Sequence, residues 1–250
     1  MRAFGAVEPV GRLAGGRGRT YRAGHVVLRP HDGAAETDWR ADVLAALHHH
    51  DDFRTPRPIA TADGGWRSGD WEAWEWVPGH ADERRVEDVL RAGAAFHRAV
   101  AHLDRPSFLD RKDDAWSRAD RAAWGEAALP PGRTLARLAA AFRPVSAPEQ
   151  LVHGDLLGNV LFSGPGAAPV VIDWAPYWRA PGYAAAIAVT DAVCWHGLPV
   201  DRVDALGVGT ADWRQLLVRA LAFRIATLHL LGAWDDAAIR RHRPVVDALT

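Results

Sequence analysis

One stretch limits the architecture of this chain more than any other: "QLVHGDLLGNVLFSGPGAAPVVIDW", residues 150 to 174. Two apolar, β-branched runs, "NVLF" and "PVVIDW", flank the turn-rich "SGPGAAP", which is the pattern of a hairpin. The segments around it have a different period. "RRVEDVLRAGAAFHRAV" and "GRTLARLAAAF" before the hairpin, and "ADWRQLLVRALAFRIATLHLL" after it, carry apolar residues at helical spacing. The C-terminal part must therefore be mainly helical and still hold one β-hairpin.

The first eighty residues read differently. "AVEPVGRLAG", the glycine-rich "GGRGRTY" and "HVVLRP" predict strands joined by a glycine-rich turn. "AAETDWRADVLAALHHH" predicts one amphipathic helix, with Trp39, Val43, Leu44 and Leu47 as its apolar stripe and Pro56 and Pro58 beyond its end. "GGWRSGDWEAWEWVPG" then predicts a hairpin about "SGD" that ends at Pro78-Gly79. The expected organisation is a β-rich lobe over residues 1–78 and a larger, mainly α lobe over 79–250.

Composition narrows the partners. A chain of 250 residues can bury a large core. The net charge of -1, with no basic block, excludes nucleic acid as the default partner. A single cysteine, Cys194, permits neither an internal disulfide nor a thiolate metal cluster, and it reads as buried and inert. No secretion signal and no run of about 18 apolar residues is visible, so a cytoplasmic protein with no membrane partner is expected.

The hairpin folds Asp155 and Asn159, at one end of residues 151–174, toward Asp173 at the other. Phosphoryl transfer from a nucleotide calls for this set. One carboxylate orients the acceptor hydroxyl and takes its proton, while an Asn and a second Asp offer oxygens to magnesium on the phosphates. With "HGDLLGNVLF" and "VVIDW", the chain resembles the aminoglycoside phosphotransferase and choline kinase superfamily, relatives of the protein kinases. Its overall look, including "PYWRAPG", is similar to a branch from high-GC bacteria.

The resemblance implies an α+β, bilobal, protein-kinase-like fold that uses ATP and magnesium on a small-molecule acceptor. It implies Asp155 as the catalytic carboxylate, and Asn159 and Asp173 as metal ligands. "GGRGRTY" would be the phosphate-covering loop, with Gly15, Gly16 and Gly18. Arg29 of "VVLR" would contact the α- and β-phosphates, paired with a carboxylate of the following helix, Glu36 or Asp42. Trp76 and Val77 would belong to the adenine hinge. Tyr177, Arg179 and Asp191 are the acceptor-side candidates.

Three features depart from the family pattern. Asn159 follows Asp155 by four residues where five is usual, which moves it by up to about 3.8 Å. A cation that bonds oxygen at about 2.1 Å does not tolerate such a shift unless the loop reshapes, as Gly158 allows. Arg29 stands where lysine is usual, in a chain whose only lysine is Lys112. After Asp173 the family's Gly-Asp-Pro segment is missing, so an aminoglycoside acceptor is not expected, and Tyr177 and Arg179 suggest a polar or anionic one. The short loop and Arg29 also keep a rival open: a nucleotide-binding pseudokinase with a regulatory or scaffolding role.

Other features have ordinary readings. His153 braces the loop backbone. "HHHDD", residues 48 to 52, is a solvated helix end, since consecutive helical residues do not face one metal. Trp66, Trp71, Trp74 and Trp76 cover the hairpin rather than stack nucleic-acid bases.

Overall fold

The computed structural model describes residues 2–6, 10–13 and 18–250. The chain divides into two compact units, one of Met1–His80 with Leu161–Ile172, the other of Ala81–Val160 with Asp173–Thr250.

The first unit is built on a five-stranded sheet of β1 (Val10–Arg12), β2 (Tyr21–Ala23), β3 (Val26–Pro30), β4 (Arg67–Ser68) and β5 (Trp71–Glu75). Its order is β1-β2-β3-β5-β4, with every neighbouring pair antiparallel. β3 alternates as a half-covered strand should, so that Val26 and Leu28 join Phe4, Ala23 and Ala73 in the unit's core. The sequence reading missed β2. It is too short to show a period of its own, and it exists because the Ala23 to Val26 turn folds it back on β3. The hairpin predicted about "SGD" is formed by β4 and β5.

Helix α1 (Ala34–Ala46) lies where the sequence predicts it, but turns a different face inward. Its buried residues are Glu36, Thr37, Arg40, Ala41 and Leu44, while Trp39 and Val43 are only partly covered. Ion pairing decides this orientation, as described below. The strand β6 (His80–Ala81) forms a three-stranded sheet with β8 (Val160–Phe162) and β9 (Val170–Val171), in the order β6-β8-β9. The predicted C-terminal hairpin is thus present as β8 and β9. Within the first unit, Arg54 holds the end of that hairpin, its amide donating to the Pro169 carbonyl (2.8 Å) and its carbonyl accepting from Val171 (2.8 Å).

The second unit contains α2 (Val86–Val100), α3 (Ala115–Ala123), α4 (Arg133–Ala140), α5 (Gly182–His196), α6 (Trp213–Leu230) and α7 (Asp236–Leu249). Helix α6 is covered on nearly every side from Leu216 to Thr227 and packs against α3, α4 and α5. Apolar side chains on most of its faces place α6 at the centre of this core, with Arg219 and Arg224 among them. Beside these helices runs an antiparallel ribbon of β7 (Gln150–His153) and β10 (Pro176–Arg179), registered from Pro176 opposite His153 to Arg179 opposite Gln150. Among the described residues no helix is long and apolar enough to cross a membrane.

Candidate active site

The β7–β10 ribbon delivers the residues of the "HGD" loop. His153, fully buried, ends β7 and works through its hydrogen bonds. Its amide donates to His97 Nε2 (2.9 Å), and its own Nδ1 accepts from the amides of Asp155 (3.2 Å) and Ala175 (3.5 Å). One imidazole therefore holds the backbone beside both candidate acidic residues, Asp155 and Asp173. That is the bracing role expected of it. Burial, with His153 alongside, pushes His97 down to a pKa of about 3, so His97 stays neutral and its Nε2 remains an acceptor.

Gly154 adds a second tie, its amide donating to the Ala175 carbonyl (3.0 Å). The Tyr177 ring closes directly on Gly154, in space that any Cβ would need. Residues 153 to 155 and 173 to 177 are thus held together at closely spaced points.

The four-residue spacing from Asp155 to Asn159 closes a compact turn. Gly158 takes a left-handed conformation (φ 87°), and the Asn159 amide donates back to the Leu156 carbonyl (2.9 Å). The Asn159 side chain then folds over Asp155, with Nδ2 2.7 Å from the Asp155 carbonyl and 3.2 Å from Asp155 Oδ2. The donor end of this carboxamide is occupied by Asp155. Its oxygen, the end a hard cation prefers, points the other way.

Asp173 also adopts a left-handed backbone (φ 51°), uncommon outside glycine and concentrated at functional sites. Its neighbour Trp174 fixes the strand end. The indole is buried, donates to the Val152 carbonyl (3.3 Å) and meets Phe96 edge-on at 5.0 Å.

Sequence reasoning missed the side chain that grips Asp155. Arg224, on α6, donates through Nη2 to Asp155 Oδ1 (2.7 Å) and through Nε to Asp191 Oδ1 (2.8 Å). Asp191 is buried, and its burial pushes its pKa up against the pull of Arg224. Burial works against the Arg224 charge as well, but Asp191 and Asp155 more than offset it and hold the guanidinium protonated. One signal could have found this residue. An arginine in the middle of the apolar "LAFRIATL" calls for an acidic partner to compensate a charge largely kept from water.

Arg179 does not point a vacant charge at an acceptor. Its guanidinium meets Asp120 (Nη2, 2.6 Å), Glu126 (Nη1, 2.6 Å) and Glu149 (Nη1, 3.4 Å). Burial raises the Asp120 pKa to about 6 even with Arg179 attached. A cavity of about 160 Å³ is lined by Arg105, Lys112, Asp120, Arg121, Tyr177 and Arg179, among others. Tyr177 is common to this cavity and to the Gly154 contact, so it links the cavity wall to the Asp155 loop.

In the first unit, Arg29 sits on β3 opposite Glu72 of β5, with Nε 2.6 Å from Glu72 Oε1. Of the two helix carboxylates expected near Arg29, Glu36 is buried beside Arg40 (3.4 Å) and Asp42 is exposed and accepts from Trp66 Nε1 (2.7 Å). Gly15 and Gly16 lie outside the described residues, and Gly18 has φ 67°. Trp76 receives the Arg22 guanidinium over its ring at 4.1 Å, and Val77 is buried.

A model of the phosphotransferase enzyme family matches residues 10–216 of the chain. The chain belongs to this family. Solved structures bear out the fold. The chain is similar to aminoglycoside phosphotransferase APH(4)-Ia, in a ternary complex with ADP and hygromycin B, at 17% identity, covering 99% of this chain and 96% of that one with a TM-score of 0.66. It is also similar to an aminoglycoside phosphotransferase from Alicyclobacillus acidocaldarius (19% identity, 98% and 92% covered, TM-score 0.58). A choline/ethanolamine kinase family protein from Mesorhizobium loti aligns at 16% identity (98% and 89% covered, TM-score 0.56). No functionally curated protein matches. The expected membership and the protein-kinase-like fold both hold for this phosphotransferase, β-rich N-terminal sheet and helical C-terminal part included.

Proposed function

We propose that this phosphotransferase moves the γ-phosphate of ATP to a hydroxyl of a small molecule. Asp155 orients that hydroxyl and accepts its proton. The observation that carries the reading is the Asp155 carboxylate itself: half-exposed, held on one oxygen by Arg224 and on the other by Asn159, with lone pairs left for an incoming hydroxyl.

The donor set fits magnesium. Magnesium takes few protein oxygens and completes its shell with phosphates and water, so the Asn159 carboxamide oxygen and the Asp173 carboxylate suffice as its protein ligands. When bound, the cation offsets phosphate charge. Arg29 contacts the α- and β-phosphates from β3, and Trp76 and Val77 face the adenine. Tyr177 and the cavity it lines lie on the acceptor side, while Asp191 acts indirectly by holding Arg224. The wall carries both signs of charge, Arg105, Lys112, Arg121 and Arg179 beside Asp110, Asp120 and Glu126, which suits a polar acceptor bearing an anionic group better than a polycation.

One observation favours a second reading, a nucleotide-binding protein without transfer activity: the Arg224 bond to Asp155 Oδ1. A single assay separates the two. ATP consumption is measured over a pool of small hydroxyl compounds with the wild type and with Asp155→Asn. An acceptor-dependent rate in the wild type that the variant lacks supports transfer. Equal rates for both proteins refute it.

A further inference from the structure

Arginine at the position where this fold usually carries lysine raises a geometric question. A lysine has one nitrogen at the end of its chain, and that nitrogen serves both a carboxylate and a phosphate. Arginine separates its donors. Nε lies close to the backbone on one edge of the planar fork, and the two Nη groups lie at the tip. A carboxylate that engages Nε must therefore stand close to the arginine's own backbone, as a neighbouring strand can. Glu72 is in that place. It is the register partner of Arg29 across β3 and β5, and its Oε1 is 2.6 Å from Nε.

Such a carboxylate must be kept charged where water cannot reach it. The Glu72 side chain is 2% exposed. Arg40, also 2% exposed, comes down from α1 and donates through Nη2 to both Glu72 oxygens (3.0 and 3.2 Å) while its Nη1 reaches Glu36 at 3.4 Å. This explains why α1 turns a charged face inward. Arg40 compensates Glu72 independently of Arg29, so Arg29 is not needed to neutralise it. Arg29 is also the least buried member of the group, with a side chain 16% exposed.

We propose that Glu72 is the positioning residue of Arg29: it clamps Nε, fixes the plane of the guanidinium and presents the fork tip to nucleotide phosphate, with Arg40 as the standing counter-ion of Glu72. Glu72 on β5 thus holds the edge of the guanidinium, Nε, that a lysine does not have. This inference rests on the proposed phosphate contact of Arg29.

The test is calorimetric binding of Mg-ATP, with adenosine as the ligand that lacks phosphate, to the wild type, Glu72→Gln, Arg29→Lys and the double variant. Thermal melts report whether each variant is folded. Loss of a charged hydrogen bond predicts a fall in Mg-ATP affinity of about tenfold to a hundredfold for each single variant, with adenosine affinity unchanged. The double variant should lose no more than either single one, because both remove the same alignment. Arg29→Lys leaves Arg40 and Glu72 paired, so it remains informative if Glu72→Gln fails to fold. Variants that bind Mg-ATP as the wild type does, that weaken adenosine equally, or whose losses add, overturn the assignment of Glu72. A wild type that binds adenosine but gains nothing from the phosphates overturns the Arg29 contact, and a wild type that binds neither overturns the nucleotide reading itself. The inference falls with both.

Discussion

Replacing Arg224 by methionine removes the charge at the centre of the second unit and preserves most of the side chain's volume. Two carboxylates lose their partner, and their exposures decide which loss matters. The Asp155 side chain is 50% exposed, so water takes over its charge and its share is about 0–1 kcal/mol. The Asp191 side chain is 9% exposed and accepts at 2.8 and 3.1 Å from Nε. Stranding a buried charge of this kind costs about 3–5 kcal/mol. The expected destabilisation is therefore about 3–5 kcal/mol near neutral pH, nearly all of it from Asp191. Its pH dependence follows from the direction of the Asp191 shift. Burial already raises that pKa against the pull of Arg224, and removal of Arg224 raises it further. A carboxyl with a folded pKa above its unfolded value of about 3.9 binds more protons when folded, so stability falls as pH rises from there to the folded value. The cost should accordingly be smaller at pH 5 than at pH 8. Urea unfolding followed by fluorescence measures this, since the chain carries 12 tryptophans. Adding Asp191→Leu to Arg224→Met should recover most of the loss, because the stranded charge goes with it. A loss below about 1 kcal/mol that does not change between pH 5 and pH 8 would show that Arg224 does not compensate Asp191.

Asp155→Asn should lower transfer by roughly 10²- to 10⁴-fold while Mg-ATP affinity barely changes, read by ATP consumption beside calorimetry. Asp173→Asn, which tolerates the left-handed backbone, should abolish the gain in ATP affinity that magnesium confers; an unchanged magnesium dependence would remove Asp173 from the cation site. Mg-ATP at a hundredfold excess over its dissociation constant should stabilise the fold by about 2.7 kcal/mol, seen as a higher melting midpoint. Gly154→Ala should cost about 1–3 kcal/mol through its clash with the Tyr177 ring, and Tyr177→Leu should relieve part of that cost in the double variant.

The amino-acid sequence by itself determined what depends on neighbours along the chain. The β8–β9 hairpin was legible because turn residues and alternating apolar runs act over a few positions. Asp155, Asn159 and Asp173 were legible because one loop and one hairpin carry all three, and Gly158 supplied the freedom the short spacing needs. The helices were legible as helices from their period, although α1 shows that a period does not say which face is buried when ion pairs compete with apolar stripes.

Partners far apart in the chain were decided by tertiary structure alone. Arg224 reaches Asp191 and Asp155 across 33 and 69 residues, and Arg29 reaches Glu72 across 43. Sheet register, not distance along the chain, brought the Glu72 carboxylate to Arg29 Nε. Arg179 looked available for an acceptor until packing surrounded it with Asp120, Glu126 and Glu149. The physical reason is the same in each case. A buried charge must be neutralised by whichever opposite charge the packed elements bring within a few ångströms, and that choice is made by strand register and helix packing rather than by sequence distance.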